Sequence, residues 1–316
     1  MSAALIVVLI FGVETAGGIG AVIHNASELP GYLSMTLSYD VNTGKAAPYS
    51  ALTIVSTAAW GLGYFGMPHI LLRFMAIEDE KKLKLSRRVA TIWVVISLFV
   101  AVFIGVIGYT MSKVGALEML TGSNSETIIV KISALLSQHG VIFALLAGVI
   151  LAGILASTMS TSDSQLLAAS SAVSSDLLGA FRKDSSNKNG SMAAARITLL
   201  VISVVAAFIA RNPDSSVFAI VSFAWAGFGA AFGPVVLFSL FWKRTNKWGA
   251  LAGMVCGGSM VFIWKYLIRP LGGIWNIYEL LPAFLIACAA IVIVSLLTPK
   301  PSKEIEEEFD RVAQMK

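Results

Sequence analysis

Charge is scarce in this sequence: Asp, Glu, Lys and Arg together make up 13% of 316 residues. A soluble globular domain carries about 25%, so an ordinary water-facing surface is excluded. Cysteine is nearly absent. Cys256 and Cys288 both fall inside apolar stretches, where they pack as small hydrophobes and offer no disulfide framework. The three histidines, His24, His69 and His139, are scattered without metal-ligand spacing. No H-E-x-x-H, G-x-S-x-G or Walker sequence occurs, so the expectation is a protein that is not an enzyme and holds no cofactor. The N-terminus also lacks the basic region of a secretory signal, and its first apolar run is interrupted by Glu14, so it reads as a helix without its beginning.

What is present is apolar residue: 57% of the chain, with a mean hydropathy of +0.80. Apolar segments run over residues 2–23, 50–75, 89–112, 141–175, 193–210, 217–242, 248–268 and 277–298, each long enough to cross a bilayer, where a spanning helix needs about 20 residues. The fold class expected is all-α integral membrane, multi-pass, with no sizeable soluble domain. The net charge of +5 is a matter of topology and needs no nucleic acid partner. Of the 23 Lys and Arg residues, 17 lie in alternate connections and the final tail, among them Arg73 to Arg88, Arg182 to Arg196 and Lys243 to Lys247. The other connections hold only Lys45, Lys113, Lys131, Arg211, Lys265 and Arg269. Basic connections stay in the cytoplasm, which puts both ends of the chain there, in the cell membrane. Residues 24–49 then form an extracellular loop and residues 299–316 a cytoplasmic tail, in which Ser302 to Met315 has the pattern of a surface helix.

Two segments carry chemistry. Trp60-Gly-Leu-Gly-Tyr-Phe-Gly-Met-Pro-His69 places three glycines and a proline in mid-membrane, which predicts an unwound helix. Gly61 to Gly66 matches G-x-G-x-x-G literally, but lacks the strand, following helix and acid that a dinucleotide site demands. Two readings remain: helix packing through small residues, and a binding site at a broken helix. Trp60, Tyr64 and Phe65 favour the second, because flexible backbone beside aromatic faces encloses a small ligand. Ser157 to Gln165 has eight polar residues in nine, an expensive density in lipid. Ser157, Ser160, Thr161 and Ser164 recur at i, i+3, i+4 and i+7 and so share one helix face, whose oxygens suit a hard cation such as sodium. The competing role is hydroxyls bonding back to the preceding turn or gluing helices together. Asp163 beside them is either a member of the ion site or an anchor for the helix end. Gly229 and Gly233 form a small-xxx-small packing pair, and Phe218 is placed to act as a lid.

Trp60 to His69 followed by Arg73-Phe-Met-Ala76, Ser160-Thr161 with Ser164-Gln-Leu-Leu167, Ser222 to Phe238, and Gly249-Ala-Leu-Ala-Gly253 together resemble the sodium/solute symporter family, in particular its sodium/proline branch. The resemblance covers nearly the whole chain. It implies a LeuT-type inverted-repeat transporter in which sodium and substrate meet at the midplane between broken helices. On that scheme residues 1–23 are part of core helix 5, 50–242 hold core helices 6 to 10, and 243–298 two additional C-terminal helices. The second repeat is present and the first largely missing, so an N-terminal half would be needed to complete the sites. The resemblance further implies that Ser160 and Thr161 ligate sodium by their hydroxyls and Ser157 by its carbonyl, with Asp163 and Ser164 behind them. It assigns Trp60, Tyr64 and Pro68 to proline binding and Phe218 to an outer gate. Ser157 stands where Ala is common, and Phe218 where Leu is frequent. The function expected is sodium-coupled import of a small amino acid, L-proline foremost. The alternatives are a transporter-like solute-sensing module and a non-transporting remnant.

Overall fold

The computed structural model describes residues 2–41, 43–177, 188–211 and 216–314. Six helices among them are long and apolar enough to cross a membrane, and they coincide with the last six of the eight predicted segments. The basic residues Arg182 and Lys183 lie outside the described residues. The other two predicted segments each break, for different reasons.

The first predicted segment, expected as one helix over 2–23, is two: α1 (Ser2–Thr15) and α2 (Ile19–Ser27), bent by 77°. Gly17 and Gly18 form the corner with φ of 89° and 93°. That left-handed backbone costs a side chain about 1–2 kcal/mol per residue and costs glycine little, so the glycine pair fixes where the chain turns. The second segment consists of α3 (Ala51–Ala59), a 3-10 stretch Trp60–Gly66, and α4 (Pro68–Met75).

The chain divides into two compact units. One comprises Met1–Ala47 and Ile77–Val217. It holds α1, α2, a hairpin of β1 (Leu37–Asp40) and all but the last residue of β2 (Lys45–Pro48), α5 (Leu83–Lys113), α6 (Ile128–Leu136), α7 (Val141–Ser171) and α8 (Lys188–Ile209). Its core gathers Val8 of α1, Ile104, Ile107 and Met111 of α5, Ile132 and Leu136 of α6, and Ala147 and Ile150 of α7. Lipid tails are as apolar as these side chains, so the cluster is held by close van der Waals fit more than by escape from water. Outside the apolar zone, Lys113 pairs with Glu28, and Lys131 with Glu118 at 2.6 Å.

The other unit comprises Pro48–Ala76 and Phe218–Lys316. It holds the broken segment, nearly all of α9 (Val217–Phe241), and α10 (Lys247–Ile263), α11 (Leu280–Leu297) and α12 (Lys303–Gln314). Its core is Ala226, Ala230, Val261, Leu280, Ala283 and Phe284. Asn246 caps α10, accepting from the Gly249 amide at 2.8 Å while its own amide donates to Thr298 Oγ1 at 2.7 Å. One side chain thus closes the start of α10 and ties it to the end of α11. The amphipathic α12, expected over 302–315, is tethered by Lys243, which reaches Asp310 at 2.6 Å and Glu306 at 4.0 Å.

Candidate functional site

The broken segment is built by its own residues. Ser50 starts α3, its hydroxyl accepting from the Thr53 amide at 3.2 Å. The helix tightens into 3-10 geometry at Trp60 as the glycines begin. Met67, the residue before proline, is extended at φ −83°, ψ 110°, as steric clash with the proline ring requires. Pro68 then occupies the first turn of α4, where its missing amide costs nothing.

A break of this kind leaves backbone groups that must find partners. The Trp60 carbonyl accepts a hydrogen bond from the Trp225 indole at 3.0 Å. Close approach makes this possible: a Cβ added at Gly229 would stand 2.9 Å from Leu280 Cδ1 and 2.7 Å from the Cα of Gly63. Glycine on both sides is therefore what admits α9 to the break. The packing role expected of Gly229 and Gly233 is the one seen, with Gly233 against Phe284 and the Leu62 carbonyl.

Around the break the rings converge. Trp60 stacks with Phe218 at 5.4 Å, with Tyr278 at 5.7 Å and with Trp225 at 5.9 Å, all within 18° of parallel, and Tyr64 stands edge-on to Trp225 at 4.8 Å. Trp60, Tyr64 and Phe218 are thus brought together, while Pro68 marks the far end of the break. Tyr64 and Phe218 are more than half exposed. Stacked aromatic faces offer apolar contact to a small aliphatic ring and quadrupole attraction to an ammonium group.

Sequence reasoning passed over Trp225 and Tyr278. Phe218, Ser222, Trp225 and Gly229 recur at i, i+4, i+7 and i+11, so they line one face of α9, and that spacing was available to find Trp225. Tyr278 comes from a loop remote in sequence, and no local signal pointed to it.

The hydroxyl candidates belong to α7, in the other unit. Ser157, Ser160, Thr161 and Asp163 are exposed, and Ser164 is half-buried. Thr161 donates its hydroxyl hydrogen to the Ser157 carbonyl at 3.3 Å, and Ser164 donates to the Ser160 carbonyl at 3.0 Å. The back-bonding set against an ion site is therefore present at Thr161 and Ser164. A hydroxyl that donates its single proton to a carbonyl still keeps its oxygen lone pairs. Among the described residues no cluster of His, Cys, Asp or Glu has the makings of a transition-metal site.

Residues 1–257 match the sequence model of the sodium:solute symporter family. The chain is 37% identical over 303 residues to the osmoregulated proline transporter OpuE of Bacillus subtilis, covering 96% of this chain and 58% of that one. It is 41% identical over 262 residues to the sodium/proline symporter of Haemophilus influenzae, covering 82% and 51%. It is 40% identical over 263 residues to the high-affinity proline transporter PutP of Bacillus subtilis, covering 83% and 53%. The chain spans about half the length of the curated relatives it matches. Since the match takes in both the broken segment and the hydroxyl face, the chain belongs to the sodium:solute symporter family.

Proposed function

We propose that the chain acts within a sodium-coupled secondary transporter that imports a small amino acid, L-proline first among candidates. The observation that carries this reading is the ring cluster built on a break in a membrane helix, Trp60 stacked against Phe218 and Trp225 with Tyr64 edge-on. Family membership and relatives named as proline transporters support it. Sodium is the co-substrate, held by the Ser160 and Thr161 hydroxyls and the Ser157 carbonyl, with Ser164 and Asp163 behind them. Proline lies against Trp60 and Tyr64 near Pro68, its pyrrolidine ring on the aromatic faces, and Phe218 covers it from outside. The arrangement is of the LeuT type, with residues 50–242 as core helices 6 to 10 and a preceding half completing both sites. Sodium binding favours the outward-open state, proline closes the gate, and both leave to the cytoplasm as the bundle rocks.

The test is radiolabelled proline uptake in vesicles carrying this chain alone, and with the N-terminal half of the Haemophilus influenzae symporter co-expressed. Uptake that needs the partner half and an inward sodium gradient is expected. Uptake by the pair that ignores sodium would overturn the coupling.

A further inference from the structure

Beside the direct contacts of Trp60 with Phe218 and Trp225 of α9, one residue that belongs to neither element bridges the two. Tyr278 lies just before α11 and makes three contacts at three separate places. Its amide donates to Ser56 Oγ at 3.1 Å, one turn before Trp60. Its ring stacks on Trp60 at 5.7 Å with an interplanar angle of 16°. Its hydroxyl donates to the Ser222 carbonyl at 2.6 Å, one turn after Phe218 and one turn before Trp225. The short loop carrying Tyr278 is pinned in turn. Arg269 donates to Asn276 Oδ1 at 3.0 Å and pairs at 2.8 Å with Glu279, which is only 2% exposed. Leu280, the next residue, is fully buried against Gly229. A buried carboxylate paired with a guanidinium is costly to separate, so this staple gives Tyr278 a fixed base.

We propose that Tyr278 is a positioning residue of the substrate site: it sets the plane of the Trp60 ring and ties the half-helix bearing Trp60 to the helix bearing Phe218. The proposal rests on the proline-transport reading above. The three contacts have one geometric result, since the amide and the hydroxyl hold the two ends of the tyrosine while its ring supplies a flat wall for Trp60. A ligand that packs on Trp60 therefore meets a surface whose orientation was settled in advance, and preorganisation of this kind raises affinity. Tyr278 itself need not touch the solute.

The test compares Tyr278→Phe and Tyr278→Ala with the unaltered chain, each co-expressed with the N-terminal half used above. Two readouts are taken: proline uptake kinetics, and the near-ultraviolet circular dichroism that stacked Trp60 and Trp225 produce. Tyr278→Phe keeps the ring and amide and loses one hydrogen bond, so the KM for proline should rise about threefold to tenfold with kcat and the sodium dependence held. Tyr278→Ala should raise KM further and flatten the indole signal. Unchanged KM in both variants, or a fall in kcat alone, overturns the proposal. If the unaltered pair transports no proline, the transport reading fails by itself. The dichroism then decides the positioning role: loss of the indole signal in Tyr278→Ala, with Tyr278→Phe retaining it, supports that role, and an intact signal in Tyr278→Ala overturns it.

Discussion

At Gly66 a single methyl group has no room, because an added Cβ would meet the Phe228 carbonyl and stand 2.9 Å from Gly229 Cα and Gly233 N. These are backbone atoms and cannot swing aside. Gly61, five residues earlier in the same break, has nothing within 4 Å of that position. Gly66→Ala should destabilise the folded chain by about 1–3 kcal/mol, the usual cost of overpacking, while Gly61→Ala should be nearly neutral. Thermal unfolding in detergent, followed by size-exclusion recovery, reads the difference, and equal effects of the two would contradict it. The hydroxyl face gives a second paired experiment. Thr161→Ala removes a lone-pair donor and should raise the sodium concentration for half-maximal uptake steeply, and Thr161→Ser should restore it. Thr158, whose hydroxyl bonds to the Ile154 carbonyl at 3.0 Å, lies outside the i, i+3, i+4 set. Thr158→Ala should leave the sodium requirement alone.

At the scale of elements, the break at residues 60–66 was legible because glycine and proline act through local sterics that any sequence displays. The same holds for α7 with its polar face, and for the amphipathic tail helix. The bend between α1 and α2 was missed, although Gly17 and Gly18 stand in plain view. Adjacent glycines in an apolar run permit a turn without demanding one, and the packing of α1 on Ile107 and Met111 helps decide it. Tyr278 was illegible for a related reason: its meaning lies in contacts with Ser56 and Ser222, which are 222 and 56 residues away. The tail helix α12 carries its own prediction. Its hold on Lys243 is an exposed ion pair, so added salt should loosen it. The Asp310 carboxylate, hydrogen-bonded to Lys243, holds that ammonium above the usual lysine range. A base whose pKa is raised in the folded state stabilises that state at every pH below the ordinary lysine value, and loses the contribution as pH climbs through the raised one. Protection of the amides of residues 303–314, taken relative to their intrinsic exchange rates at each pH, should therefore be high at neutral pH, lower at 1 M salt or in Lys243→Ala, and lost again only in strong alkali. Exchange that is indifferent to salt and to Lys243→Ala would show that the tether contributes nothing.

For the whole molecule, the distribution of charge makes a claim that side chains alone do not. The basic run from Lys81 to Arg88 and the tail after Pro299 should face the cytoplasm, and the hairpin around Asp40 to Lys45 the outside. Single cysteines at Lys84 and Lys45 in a chain lacking Cys256 and Cys288, challenged with a membrane-impermeant maleimide on intact cells, read this directly. Labelling at position 45 alone is expected, and labelling at 84 alone would invert the topology. The division into two compact units has a further meaning. The ring-bearing candidates Trp60, Tyr64 and Phe218 fall in one unit and the hydroxyl candidates Ser157, Ser160 and Thr161 in the other. If the proposed roles hold, preference for a solute and preference for an ion lie in separate stretches of chain, with no candidate side chain serving both. On that proposal, variation in one stretch would explore new cargo while the driving gradient stays the same, so diversification would not require the energy source to be reinvented each time.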